Sequence, residues 1–368
     1  MDDWIINLLT DNNYFYMTKF YLSAFDKFWL YFRYITGTLS IDLYQMVTGQ
    51  KLKENDYLSL KKPMKNFGTE FGFNLRQNEL RISFQESFEH LNKFNVDWLR
   101  TDFPMGYNYE PDFKFADKIV SECQRRRIKL LFVLGSGMSC NMVKTPENEQ
   151  DANKFVRLVS KIAKRYKGKV SAYEIWNEPN LSYFWKGSLK DFIELLKRTS
   201  FAMKKETNSF LGFTLAYYHN FNKYFEKFDS KETLANIDFF AIHSYPGSLE
   251  PGDHRVMKKR ISDIRRILKK KNCDIQIWVT EIGFVAFNSP NLSFHNPKNQ
   301  TRIFRGACKI FKRNKISVVT WYRMRDAPVI NFLHKFDPYE NRWGLLKKNF
   351  EPKDSKIFEI ITKRLMFK

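Results

Sequence analysis

Cysteine is scarce in this chain and nowhere paired. Cys123, Cys140, Cys273 and Cys308 are scattered without a Cys-x-x-Cys spacing, which argues against a zinc site or a disulfide framework and for free thiols in a reducing compartment. Long apolar runs are missing as well. The aromatic stretch from Phe20 to Ile35 is broken by Asp26, Lys27 and Arg33, and the chain begins Met1-Asp2-Asp3. Neither a cleavable signal nor a membrane span is read from this, and a cytoplasmic location is expected. No glycine-rich phosphate turn follows the first strand candidate, which removes the open nucleotide-binding sheets. Negative charge is in deficit: 62 Lys and Arg stand against 40 Asp and Glu, a formal net charge of +22. No recognised nucleic-acid module accompanies that excess, so no nucleic-acid partner is expected. The basic runs Lys258-Lys259-Arg260, Lys269-Lys270-Lys271 and Arg125-Arg126-Arg127 read first as solvated helix faces. The same charge would also draw an acidic polysaccharide toward a cleft.

What is present is a large apolar inventory. With 368 residues, 43% hydrophobic and 17% aromatic, the chain can bury one barrel-sized core with an extension, and a disordered protein is excluded. From about residue 68 onward, short apolar strand candidates alternate with amphipathic helix candidates. The strands are expected at 71–75, 96–101, 129–134, 170–176, 210–216, 237–244, 275–280 and 316–322. Eight strand-then-helix repeats predict an α/β fold, a closed (β/α)8 TIM barrel, over residues 63–368. The helix before the fourth strand shows its buried face as Phe155, Leu158, Val159, Ile162, Ala163 and Tyr166. Ser188 is placed to cap the next helix, which carries Phe192, Leu195, Leu196 and Thr199. A last helix, from about Lys353 to Met366, closes the ring. Residues 1–62 do not fit the repeat: Trp4, Tyr14, Phe15, Tyr16, Phe20, Trp29 and Tyr31 belong to a helical extension. It either packs on the barrel or docks to a membrane or partner.

Two glutamates carry the chemistry. Glu178 lies in Tyr173-Glu174-Ile175-Trp176-Asn177-Glu178-Pro179-Asn180, and Glu281 in Trp278-Val279-Thr280-Glu281-Ile282-Gly283-Phe284. Each stands just past a β-branched and aromatic run, at the C-terminal end of a buried strand, where active sites of such barrels collect. Two carboxylates placed there from different strands can face one another across a sugar and divide acid and nucleophile duties.

The string Glu174-Ile175-Trp176-Asn177-Glu178-Pro179-Asn180-Leu181, with Phe184-Trp185 just after it, resembles the acid/base motif of the clan A glycoside hydrolases. It looks most like family 39 and its endoglycosidase-like relatives from polysaccharide gene clusters. The resemblance spans Phe71 to about Phe367 and leaves the N-terminal segment unmatched. It implies that Glu178 is general acid and then base, and that Glu281, with two strands between them, is the nucleophile. Such a pair needs unlike environments: an acid that keeps its proton near neutrality and a nucleophile held ionised by cations or hydrogen-bond donors. The resemblance supplies those donors. Arg100 matches the clan's strand-two arginine, and His243 with Tyr245 match a strand-six pair, Tyr245 donating to the nucleophile. Asn177 is expected to bind the sugar 2-hydroxyl, and Trp321 to form the aromatic platform beneath the reacting sugar.

Each residue also has a plainer role open to it. His243 or Trp321 alone would suit core packing, and Arg100 alone an ion pair with Asp102. Trp176 and Trp185 read mainly as packing, with sugar contact by Trp185 left open. Asn74, Arg76 and Gln77 are equally placed after the first strand, so Asn74 is only weakly singled out. The chain departs from the family after strand three, where Gly135-Ser136-Gly137-Met138-Ser139 replaces an aromatic or histidine wall. The expected function is a retaining glycoside hydrolase acting on a β-linked carbohydrate, with no metal or organic cofactor required. A transglycosidase of the same mechanism and a non-catalytic glycan-binding barrel are the alternatives.

Overall fold

The computed structural model describes residues 69–136, 143–217, 221–228, 232–245, 254–286, 295–327 and 341–363. Strand and helix alternate through them as β1 (Glu70–Asn74), α1 (Gln77–Ile82), α2 (Phe84–Lys93), β2 (Trp98–Asp102), α3 (Phe113–Arg125), β3 (Lys129–Leu134), α4 (Glu149–Arg165), β4 (Ala172–Ile175), α5 (Leu189–Lys204) and β5 (Phe210–Ala216). There follow α6 (Phe221–Phe225), β6 (Phe239–His243), α7 (His254–Lys270), β7 (Gln276–Ile282), α8 (Pro297–Arg313), β8 (Val318–Tyr322) and α9 (Ser355–Thr362). Every expected strand is present, displaced by no more than a residue or two at its ends. All eight are parallel and hydrogen-bonded in chain order, and β8 returns to β1 to close a (β/α)8 barrel. The expected 1–62 extension, residues 137–142 of the loop after β3, and the chain beyond Lys363 lie outside the described residues.

Alternation along the strands sets the interior in layers. The floor is a buried cluster of Trp98, Leu131, Ala172, Phe239, Ala241, Trp278 and Val318. Trp278 stacks on Phe239 at 3.8 Å between ring centroids and meets Trp98 edge-on at 5.2 Å. These rings leave no room beside them: a Cβ at Gly212 would lie 2.4 Å from the Phe239 ring. Two residues further along β2, β4 and β6, the inward positions become Arg100, Glu174 and His243. The barrel therefore passes from aromatic floor to charged mouth within one strand period.

The outer helices follow from their patterning. On α4, Phe155, Val159, Ile162 and Ala163 are buried while Leu158 is only partly covered. Each large apolar side chain buried there contributes about 1.5–3 kcal/mol. Ser188 caps α5 as expected, through a reciprocal box: its hydroxyl accepts from Asp191 N–H, and the Asp191 carboxylate accepts from Ser188 N–H. Cys123 and Cys308 are buried thiols on α3 and α8, and Cys273 is a partly exposed free thiol. The basic runs are partly neutralised on their own helices. Arg125 and Arg126 both reach Glu122 at 2.8 Å, and Asp263 takes Lys259 at 2.8 Å and Arg266 at 2.9 Å. Among the described residues, no helix is long and apolar enough to cross a membrane.

Candidate active site

The fourth strand ends in an abrupt turn. Trp176 (φ 65°) and Glu178 (φ 45°) both adopt left-handed backbone, a conformation that costs a residue with a Cβ and is tolerated where the surroundings over-determine it. Here they do. The Trp176 ring is fully buried against Phe155 and Trp185, and its Nε1–H donates to the Phe184 carbonyl at 2.9 Å. Gly135 passes beneath that ring at φ 95°, where a Cβ would lie 2.3 Å from it. Asn177 N–H donates to the Gly135 carbonyl at 2.9 Å. With its neighbours fixed, Glu178 is thrown into the mouth. Trp185, for which sugar contact was left open, is spent on packing: it is 4% exposed and bonded to the Ser188 carbonyl.

Glu281 reaches the same space by a different device. Trp278 faces inward, so strict alternation would turn Thr280 inward and Glu281 out toward the helices. The register between β6 and β7 shifts instead: Ile242 pairs with Val279, but His243 pairs with Glu281. The extra residue is a β-bulge, and it returns Glu281 to the interior.

The two carboxylates meet over one histidine. His243 Nδ1 lies 2.6 Å from Glu178 Oε1 and 3.5 Å from Glu281 Oε2. Arg100 Nη1–H donates to Glu281 Oε1 at 2.6 Å, the Asn74 amide donates to the same oxygen at 2.8 Å, and the Tyr245 hydroxyl donates to Oε2 at 2.6 Å. Arg100 is in turn held by Glu174, with Nη2 at 2.7 Å and Nε at 3.3 Å, and its Nη2 also donates to Asn177 Oδ1 at 3.0 Å. Exposure divides the cluster. The Arg100, Glu174 and His243 side chains are 3%, 0% and 1% exposed, whereas Glu178 and Glu281 keep 12% and 14%. Of these five side chains the two glutamates are the more open.

The electrostatics follow from these contacts. Burial works to raise the pKa of Glu281, but the charges of His243 and Arg100 and the Tyr245 hydrogen bond outweigh it and bring the group down to about 2. Burial likewise works against the His243 cation, and the Glu281 and Glu178 carboxylates overcome it, so the histidine pKa is raised. Burial and the Glu281 charge push Tyr245 well above its usual range, which keeps its hydroxyl a donor. Among the described residues, no cluster of acidic, histidine or cysteine side chains is arranged to hold a metal ion.

Of the seven positions singled out in the sequence, six converge: Glu178, Glu281, Asn177, Arg100, His243 and Tyr245. Trp321 does not, and the expectation of a platform there is corrected. It has outward parity on β8, is 1% exposed, and packs edge-on against Phe304 of α8 at 5.1 Å. Its neighbour Tyr322 faces the mouth instead, 6.2 Å from Tyr245, and half-exposed Trp343 stands 5.1 Å from Tyr245. The plainer pairing of Arg100 with Asp102 gives way to its bonds with Glu174 and Glu281. Glu174 lay in the quoted string without a role. A charge between Ala172 and Trp176 on an apolar strand was its signal. Trp343 comes from a segment without periodicity and left no signal.

Residues 127–308, just under half of the chain, match the family described as Glycosyl hydrolases family 39. The chain is 29% identical over 96 residues to a beta-xylosidase of Caldicellulosiruptor saccharolyticus, a stretch covering 26% of this chain and 20% of that protein. Among solved structures, a family 39 glycoside hydrolase from Bacteroides cellulosilyticus WH2 superposes with a TM-score of 0.61 at 17% identity, over 83% of this chain and 65% of that one. A beta-glucosidase from Exiguobacterium marinum gives 0.61 at 14% identity, over 81% and 98%. The structural likenesses speak to the fold. The chain spans about a fifth of the curated relative it matches.

Proposed function

We propose that this protein, whose barrel resembles those of the glycoside hydrolases and matches family 39 over residues 127–308, is a retaining glycoside hydrolase of a β-linked oligo- or polysaccharide. Glu281 attacks the anomeric carbon as Glu178 gives its proton to the leaving oxygen. Glu178 then takes a proton from the water that breaks the glycosyl-enzyme bond. The observation that carries this reading is the shared histidine nitrogen. Two oxygens held 2.6 and 3.5 Å from one atom bring the carboxylates close together, which supports the roughly 5–5.5 Å spacing of a retaining pair over the roughly 6.5–9.5 Å of an inverting one.

The supporting side chains have matching tasks. Arg100, Asn74 and Tyr245 hold Glu281 ionised and aimed, leaving it charged when the sugar arrives. Arg100 can only donate, so it fixes Asn177 by its Oδ1 and turns the amide NH2 toward the sugar 2-hydroxyl. Half-buried Trp343 takes the platform expected of Trp321, backed by the buried Tyr322 ring 6.1 Å away. The net charge of +22 keeps acidic polysaccharides among the candidate substrates, attracted over the outer surface.

The test is Glu281→Gln assayed on aryl β-glycosides. Turnover should fall by about a thousandfold or more, and azide should restore aryl release while giving an α-glycosyl azide, since azide then replaces the missing nucleophile from the opposite face. Undiminished turnover in the variant, or a wild-type product released with inverted configuration, would overturn the proposal.

A further inference from the structure

The floor of the barrel ends in a surface of its own. Outer helices run back from the mouth, so their last turns and the turns into the next strands share the floor face. Apart from residues 229–231 and the chain before β1, those turns are all among the described residues. The face is basic where α7 and α8 finish. Arg265, Lys269, Lys270, Arg313 and Lys315 are exposed there, and among the described residues none of them has an acidic partner. Elsewhere at this end Lys129, Lys204 and Arg165 each hold a carboxylate, that of Glu70, Asp238 and Asp117 respectively. The helix dipole favours a cation or two in a last turn. It does not account for Lys315 beyond the end of α8, or for a helix with six Lys and Arg and no acidic residue. Arg265, Lys269 and Lys315 converge on one cavity of about 510 Å³ between the end of α7 and the starts of β7 and β8, with Asp274 the acidic group in its wall.

The same end exposes apolar rings. Phe201, in the last turn of α5, is 55% exposed, with the Lys205 ammonium 4.0 Å from its ring centre. Phe210, the first residue of β5, is 43% exposed at the base of the interior, 5.9 Å from the Trp278 ring. Exposed phenylalanines beside unpaired cations suit a lipid interface, where rings enter the headgroup layer and long basic side chains reach anionic headgroups. Position argues the same way. Gln276, in the wall of the cavity, and Glu281, in the mouth, stand roughly 16 Å apart along β7. Charge at the floor does not lead a polymer into the cleft; it sets the barrel on a flat surface with the mouth turned away.

We infer that the floor face, from the ends of α7 and α8 to the α5–β5 turn, is a docking surface for an anionic lipid membrane: Phe201 and Phe210 enter the headgroup layer, and the unpaired cations meet the headgroup anions. Single-stranded nucleic acid also takes cations beside aromatic rings, but it needs ring faces free for stacking. Lys205 lies over one face of Phe201, and Phe210 is turned against Trp278.

The experiment sediments the full chain with vesicles of phosphatidylcholine alone and of phosphatidylcholine with phosphatidylserine. Binding should require phosphatidylserine and weaken as salt is raised. Lys269→Ala/Lys270→Ala/Arg313→Ala/Lys315→Ala should lower the affinity for those vesicles by about a hundredfold or more, since each cation near such a surface is worth roughly fivefold. Phe201→Ser should cost roughly another fivefold. Lys114→Ala/Lys190→Ala/Lys258→Ala/Lys298→Ala removes the same charge from the mouth-side turns of the outer helices, and it should change the affinity by less than about threefold. Equal losses in the two quadruple variants would assign the binding to net charge and overturn the inference. So would undiminished binding in the floor variant, binding to phosphatidylcholine alone, or tighter binding of single-stranded DNA lost in the same floor variant. Unchanged thermal midpoints separate lost docking from misfolding. None of these residues belongs to the carboxylate site, so the outcome stands apart from the glycosidase reading.

Discussion

The floor and the mouth of this barrel are built by the same eight strands, yet they fill their interiors in opposite ways. The floor buries Trp98, Phe239 and Trp278 as stacked and edge-on rings, an apolar core whose stabilisation is non-directional and scales with area. The mouth buries Arg100, Glu174 and His243, groups that would be costly there unless each found its partners. Local regularity differs in the same sense. The floor keeps strict alternation, whereas the mouth contains the β7 bulge and the left-handed Trp176 and Glu178. The floor supplies stability, and the mouth gives up some regularity to hold a few polar atoms in fixed positions.

Breaking the mouth should have the largest effect. Arg100→Met removes the cation that donates hydrogen bonds to both Glu174 and Glu281, leaving buried Glu174 with His243 at 3.9 Å as its remaining ion-pair partner among the described residues. Loss of about 3–5 kcal/mol in stability is expected, together with a fall in kcat of about a thousandfold or more as Glu281 loses its strongest donor. Urea denaturation and aryl-glycoside kinetics would check it, and a variant that kept either stability or activity would contradict the network described. Trp278→Ala sharpens the contrast. It should cost a similar ~3–5 kcal/mol through the cavity it opens, while kcat per folded molecule stays within about threefold. A floor variant that lost activity as steeply as stability would mean that the layers are not independent.

The two ends should also answer differently to pH. Glu281 is depressed in the folded state to about 2 from an ordinary 4.5, so its contribution is present above the ordinary value and is lost as pH falls through that window. His243 is raised, so its contribution is present below the ordinary histidine value and is lost as pH rises through the elevated one. The floor rings do not titrate. Between about pH 6 and about pH 3, wild type should therefore lose more stability than Glu281→Gln, which has no charge to forfeit in that window. Equal losses in urea midpoint would place the acid sensitivity elsewhere.

Much of this was legible in the sequence, and the clearest miss on a strand has a physical cause. Strand positions could be read because apolar runs are bounded by polar turns, and Ser188 because capping is a local bond. What failed was facing. Strands of a closed parallel barrel are buried on both sides, so Val318-Val319-Thr320-Trp321-Tyr322 carries no polar rhythm to say which residues point inward. Trp321 was accordingly chosen where Tyr322 faces the mouth. Glu281 reaches the mouth by a device composition does not reveal, since its parity depends on a bulge. After β1, three polar side chains in four positions give no ranking, and the structure shows Asn74 bonded to Glu281, Arg76 one layer above it, and Gln77 buried on α1.

Tyr245 allows the finest division between holding the mouth together and tuning its chemistry. Its hydroxyl donates to Glu281 Oε2 at 2.6 Å, while its ring packs against Tyr322 and Trp343. Tyr245→Phe keeps the ring and removes one bond, so stability should change by no more than about 1 kcal/mol. Activity should fall by about 10–100-fold, the effect of losing one oriented donor to the proposed nucleophile, Glu281. The sign of the pH effect is fixed by the same bond. The hydroxyl helps hold the Glu281 pKa down, so without it that pKa rises toward the ordinary carboxylate range. Because the proposed nucleophile must be ionised, the acid limb of kcat/KM should move to higher pH. An acid limb that stayed in place while kcat fell would show that Tyr245 acts on the sugar and not through Glu281.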